Sequence, residues 1–105
     1  MTLDDQIAIA TGGARGIGRA ICLKLAETAA TVVAIDLNRE GLSSLAEEAR
    51  SKELPGKIVP KTMDVTDRPA VDALIDGVVE EFGKIDILIN NAGITRDGLL
   101  MNMED

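Results

Sequence analysis

The stretch IAIATGGARGIGRA, residues 7 to 20, decides the fold. Residues 7 to 10 are a short apolar run of strand type. Beyond them Ile17, Ala20, Ile21 and Leu25 recur at the spacing of an amphipathic helix. Gly12, Gly16 and Gly18 fall where the first pattern gives way to the second. Such a turn lets an anion approach backbone N–H groups and the positive end of the helix dipole. Glycines also serve a plain tight turn, so this stretch alone leaves both readings open.

The same alternation continues along the chain. TVVAID, residues 31 to 36, is a second β-branched run, and Leu42, Leu45, Ala46 and Ala49 mark a second amphipathic helix. ELPG, residues 53 to 56, breaks it. KIVPKTMD, residues 57 to 64, is a third strand, in which Pro60 is best tolerated on a sheet edge. Val71, Leu74, Ile75, Val78 and Phe82 give a third helix, with Gly83 at the position of a C-terminal cap. IDILIN, residues 85 to 90, is the fourth strand, and the last fifteen residues, to Asp105, read as a loop with a helical start. Nearly continuous apolar strands separated by amphipathic helices predict an α/β fold: a parallel sheet covered on both faces. Right-handed crossovers constrain the layout, and the expected strand order is 3-2-1-4, which puts the third helix on the face opposite the first two.

Bulk properties narrow the function. The 105 residues fit one domain over 1–105, with 46% apolar and 28% charged residues, a globular composition. The formal net charge of −7 argues against nucleic acid and anionic membranes, which are bound by basic patches. Without histidine there is no histidine acid–base catalysis and no histidine metal site, and no metal site is expected. Cys22 has no partner for an internal disulfide, which points to a reducing compartment. The acidic start MTLDD with no long apolar run after it argues against a signal peptide or a membrane span. The expected location is the cytoplasm.

The strand ends carry the candidate site. Asp36 closes the second run 18 residues beyond Gly18, where a carboxylate can accept the ribose hydroxyls of a dinucleotide. Its charge would repel a 2′-phosphate and favour NAD(H). Arg15 could pair with that phosphate, which keeps NADP(H) open. Asp36 could instead cap a helix, a role open to Asn38 as well. Asp64 and Val65 follow the third run near an expected adenine pocket, although Asp64, Thr66 or Asp67 could each cap the third helix. NNAG, residues 90 to 93, ends the fourth run. Ala92 and Gly93 leave room for a flat ligand at the switch point between strands one and four. No Gly-Lys-Ser/Thr follows the glycines, which weighs against a P-loop nucleotidase.

TGGARGIG, the DV at 64 and 65, and NNAG together resemble the short-chain dehydrogenase/reductase family, whose glycine motif is T-G-x-x-x-G-x-G. The resemblance runs the length of the chain, in order and with matching spacing. The tail NNAGITRDGLLMNM resembles its 3-oxoacyl-(acyl-carrier-protein) reductase branch, which works in fatty acid synthesis. The family pattern implies a partial Rossmann fold and a nicotinamide dinucleotide as cofactor. It assigns Gly12, Arg15, Gly16 and Ile17 to the pyrophosphate and ribose, and Asp36 and Leu37 to the adenosine ribose. Asp64 and Val65 fall by the adenine, and Asn91 by the ribose near the nicotinamide. No catalytic residue is expected within the chain. The family's catalytic Ser and Tyr-x-x-x-Lys would lie beyond Asp105, and this chain contains no tyrosine. The resemblance thus implies the N-terminal half of an NAD(P)-dependent oxidoreductase, inactive alone, whose parent takes an acyl-carrier-protein or CoA thioester. The alternative is a stand-alone, non-catalytic half-Rossmann module that binds a nucleotide or a partner. Strand four would leave an apolar edge open, predicting a homo-oligomer unless residues 94 to 105 fold over it.

Overall fold

The computed structural model describes residues 3, 5–14 and 16–91. The order is β1 (Ile7–Thr11), α1 (Gly16–Glu27), β2 (Thr31–Asp36), α2 (Arg39–Ser51), β3 (Lys57–Thr62), α3 (Arg68–Phe82) and β4 (Ile87–Asn90). All pairings are parallel, and the sheet order is β3-β2-β1-β4, the order expected from the sequence. The register sets Ala10 opposite Ala34 on one side and Ile89 on the other.

Successive residues of the central strands point to opposite faces, and both faces are covered. Ala10, Val32 and Ala34 pack with Cys22, Leu42 and Leu45, from α1 and α2. Ile7, Ile9, Val33 and Ile35 pack with Val65 and Val78, on the α3 side. The third helix therefore lies across the sheet from the first two. Pro60 sits on the edge strand β3, where its missing N–H disturbs no second neighbour.

Helix ends follow local chemistry. Asn38 caps α2 by accepting the Gly41 N–H at 2.9 Å, and Asp67 caps α3 by accepting the Ala70 N–H at 3.2 Å. Each cap is worth about 1 kcal/mol. Gly83 ends α3 at φ 86°, the left-handed conformation expected of it.

Three local expectations are corrected. The inward face of α1 is Gly18, Cys22 and Ala26; Ala20 is exposed and Ile17 is 71% exposed. Small residues face the sheet because the helix lies close against it. β3 stops at Thr62, since Asp64 turns to bind Thr66 instead of extending the ladder. β4 starts at Ile87 and not at residue 85. Ahead of it, the Asp86 carboxylate takes the Ile7 N–H at 2.8 Å while the Asp86 N–H donates to the Ile7 C=O at 2.8 Å. Among the described residues, no helix is long and apolar enough to cross a membrane. The loop and helical start expected over the last fifteen residues, through Asp105, lie outside the described residues but for Asn91.

Candidate functional site

Parallel pairing brings the C-terminal ends of all the strands to one edge, and the residues named from sequence gather there. Gly12 leaves β1 at φ 69°, in the left-handed region, and its N–H donates to the Ile35 C=O at 2.8 Å. The glycine turn is thereby tied to the end of β2. Gly16 opens α1 at φ 63°, is exposed, and a Cβ built there would meet nothing within 4 Å among the described residues. That is free ground beside a helix N-terminus whose first turn holds no acidic side chain, as the approach of a pyrophosphate requires.

Gly18 is glycine for a different reason. A Cβ there would collide with the Gly12 carbonyl oxygen and stand 2.8 Å from the side-chain nitrogen of Asn91. The turn, the first coil of α1 and the end of β4 are thus in close contact. Thr11 holds the same junction. Its buried hydroxyl accepts the Asn91 N–H at 3.0 Å and lies 3.3 Å from the Asn90 side-chain oxygen and 3.4 Å from the Ile89 C=O. It fastens β1 to β4 at the switch point, where ligands of such sheets sit.

Asp36 is half-buried at the end of β2 and is not a helix cap, since Asn38 takes that role. One carboxylate oxygen accepts the Ala14 N–H at 3.0 Å and the other the Asn38 N–H at 3.0 Å. A carboxylate has about four lone-pair sites, so acceptor capacity remains on both oxygens. Leu37 beside it is 65% exposed. Asp64 is exposed and accepts both the N–H (2.9 Å) and the hydroxyl (2.6 Å) of Thr66, the hydroxyl bond first in holding its carboxyl below the usual range. Val65 is buried against the sheet. An apolar cavity of about 190 Å³ opens between α3 and these strand ends, lined by Ile9, Thr11, Val65, Leu74, Leu88 and Asn90 among others. Arg15, Ala92 and Gly93 lie outside the described residues. So does Asp105, the position beyond which the family's catalytic residues are expected.

Sequence reasoning missed Thr11, Arg19 and Gly41. Arg19 bridges the turn to α2, and a Cβ on Gly41 would stand 2.8 Å from the Ala14 Cβ. The Thr-Gly opening of the motif was the available signal for Thr11; nothing local marks the other two. Among the described residues no cluster of His, Cys, Asp or Glu is placed to hold a metal ion.

The chain is 46% identical over its whole length to the 3-oxoacyl-(acyl-carrier-protein) reductase FabG of Thermotoga maritima and covers 42% of that protein. It is 39% identical to the FabG of Escherichia coli, again over its whole length and covering 41% of the relative. The chain thus spans about two fifths of the length of these curated relatives. Among solved structures, a metagenomic short-chain oxidoreductase in complex with NADP matches at TM-score 0.82 and 34% identity, over 90% of this chain and 42% of that one. The carveol dehydrogenase of Mycobacterium avium in complex with NAD matches at TM-score 0.76 and 32% identity, over 87% of this chain and 36% of that one. The short chain dehydrogenase family model matches residues 6–105. With that match and the fold and turn described above, this chain belongs to the short-chain dehydrogenase family.

Proposed function

We propose that residues 1–105 are the N-terminal, dinucleotide-binding half of a Rossmann-type domain in an NAD(P)-dependent reductase of the FabG kind. The observation that carries this reading is the set of groups at one sheet edge: the open ground at Gly16 among the described residues, the Asp36 carboxylate and the Thr11–Asn91 junction. Gly12, Arg15, Gly16, Ile17 and Gly18 would receive the pyrophosphate and nearby ribose. Asp36 and Leu37 would receive the adenosine ribose, Asp64 and Val65 the adenine, and Asn91, Ala92 and Gly93 the nicotinamide side. Bound there, the dinucleotide would supply a hydride donor for a 3-oxoacyl thioester, carried on acyl-carrier-protein or CoA. Asp36 would accept the ribose hydroxyls and oppose a 2′-phosphate, so NAD(H) is favoured over NADP(H).

The chain has neither tyrosine nor histidine to exchange a proton with a carbonyl oxygen, so it would not turn over a thioester alone. The residues for that step belong, in this reading, to sequence beyond Asp105. Titration calorimetry with NADH and NADPH tests the binding reading: weak binding with NADH the tighter supports it, and no binding of either overturns it. Turnover of acetoacetyl thioesters by the chain alone, well above buffer, would contradict the inactivity.

The reading includes a homo-oligomer. Among the described residues β4 pairs with β1 alone, and Leu88 on it is 39% exposed. The opposite edge, β3, is guarded by exposed Lys57, Pro60 and Lys61, side chains that discourage strand addition. A second copy joining at β4 fits this asymmetry. Light scattering over a concentration series should show association that Ile87→Lys weakens; a strict monomer at high micromolar concentration refutes it.

A further inference from the structure

We propose that Arg19 is a positioning residue for the phosphate-binding turn, holding Ala14 so that the backbone ahead of α1 keeps the shape a pyrophosphate needs. The inference rests on reading that turn as the phosphate site. Arg19 lies in the first coil of α1, and its side chain crosses to α2. One guanidinium nitrogen, Nη1, donates to the Ala14 C=O at 3.2 Å and to the Gly41 C=O at 3.2 Å. The other, Nη2, donates to the Ser44 hydroxyl at 3.1 Å and to Glu48 Oε1 at 2.7 Å. Glu48 is fixed in turn by Lys52, whose ammonium sits 2.7 Å from its second oxygen. These two partners, Lys52 first, hold the Glu48 carboxyl below its ordinary range, so it stays ionised toward Arg19.

Ala14 is thus gripped on both sides: its C=O by Arg19, its N–H by Asp36 at 3.0 Å. The first coil of α2 closes against it, because Gly41 has no side chain. The turn is bounded by Gly12 and Gly16, whose left-handed φ angles come with the conformational freedom of glycine. Something must restrict that freedom, or bound ligand would have to order the turn itself. Only a flat fork with several N–H groups reaches two carbonyls and a carboxylate at once; a lysine ammonium meets part of that set. A role confined to stability would act on every ligand alike. A role in shaping the turn acts on ligands that carry the pyrophosphate.

The test uses the 105-residue chain and the variants Arg19→Met, Arg19→Lys and Glu48→Gln, with NADH and adenosine as probes. Arg19→Met keeps the apolar stem and should raise the NADH dissociation constant about tenfold, the effect of losing a charge-assisted hydrogen bond. Adenosine affinity should stay within about twofold, Arg19→Lys should recover part of the loss, and Glu48→Gln should move NADH binding the same way by less. Without ligand, amide exchange at Ala14 should quicken about tenfold in Arg19→Met while Leu23 and Leu25 in α1 are unchanged. Unchanged Ala14 exchange, or equal losses for NADH and adenosine, would overturn the proposal. Wild-type binding of NADH matched by Arg19→Met sinks the role of Arg19 and spares the site. Wild-type chain that binds no NADH sinks the phosphate site, and with it any service Arg19 renders there. If Arg19→Met fails to fold, Glu48→Gln decides between these outcomes.

Discussion

The Asp36 carboxylate accepts the Ala14 backbone N–H at 3.0 Å, joining the end of β2 to the glycine turn after β1. The residue read as setting cofactor choice is therefore also a strut of the turn read as receiving the pyrophosphate. A substitution there acts on both.

Asp36→Ala should shift preference toward NADP(H) by removing a negative charge from beside the 2′ position. It should also weaken NAD(H) binding, about tenfold, because the ribose acceptor and the Ala14 strut go together. Calorimetry on wild type and variant with both cofactors gives the two numbers. A ratio of NADP(H) to NAD(H) affinity that does not rise contradicts the charge argument.

Gly18→Ala pits two effects against each other. Alanine in a helix gains about 1 kcal/mol over glycine. The new Cβ, however, strikes the Gly12 carbonyl oxygen, which is backbone and cannot swing aside, and crowds Asn91. Overpacking of this kind costs about 1–3 kcal/mol, so the net sign is destabilising. A thermal melt should show a lower Tm; an equal or higher Tm means the turn and α1 are not so tightly apposed.

Asp86 makes part of the stability acid-sensitive. The Ile7 N–H, and then Lys84, hold its carboxyl below the ordinary value of 3.8, with some opposition from burial. A carboxyl depressed in the folded state stabilises the protein above its unfolded pKa, and that contribution fades as pH falls through the folded one. Asp86→Asn should thus be less stable than wild type at pH 6, and the gap should close below about pH 4. Urea unfolding at several pH values measures the gap, and a gap that does not change with pH rejects the assignment.

Cys22 should behave as a buried, sluggish thiol. Burial raises its pKa from 9.0 to about 11, against a lowering by Arg19. At pH 8 the folded chain then holds roughly a hundredfold less thiolate than the unfolded chain, before access is counted. Reaction with a disulfide reagent should be slower by at least that factor in buffer than in 8 M urea (about the usual unfolding condition). The raised pKa also makes stability fall as pH climbs from about 9 toward 11, because the unfolded thiol ionises first. Equal rates in the two solvents would mean that Cys22 is not enclosed.

The strand order was legible because the patterns behind it are local. Apolar runs buried on both faces announce a parallel sheet, Pro60 marks an edge, and handed crossovers narrow the layouts to a few, of which 3-2-1-4 puts Pro60 on that edge. Asp36, Asp64 and the asparagines could be placed at the strand ends for the same reason. What escaped was the bracing. The bonds of Thr11 to Asn91, Arg19 to Gly41 and Glu48, and Asp86 to Ile7 span 80, 22, 29 and 79 residues. No local period encodes such a pairing, and a lone arginine on a helix reads as a solvated charge. The inward face of α1 was misjudged because periodicity favours the larger apolar residues, whereas close packing selects Gly18, Cys22 and Ala26.

Whether a nicotinamide dinucleotide binds at the turn between β1 and α1 is read out by amide shift mapping during titration with NADH. Gly12, Gly13, Gly16, Gly18, Asp36 and Asn91 should shift together, at lower concentrations of NADH than of NADPH. Shifts confined to the opposite sheet edge, around Gly56 and Lys57, or none at millimolar NADH, would contradict binding at that turn.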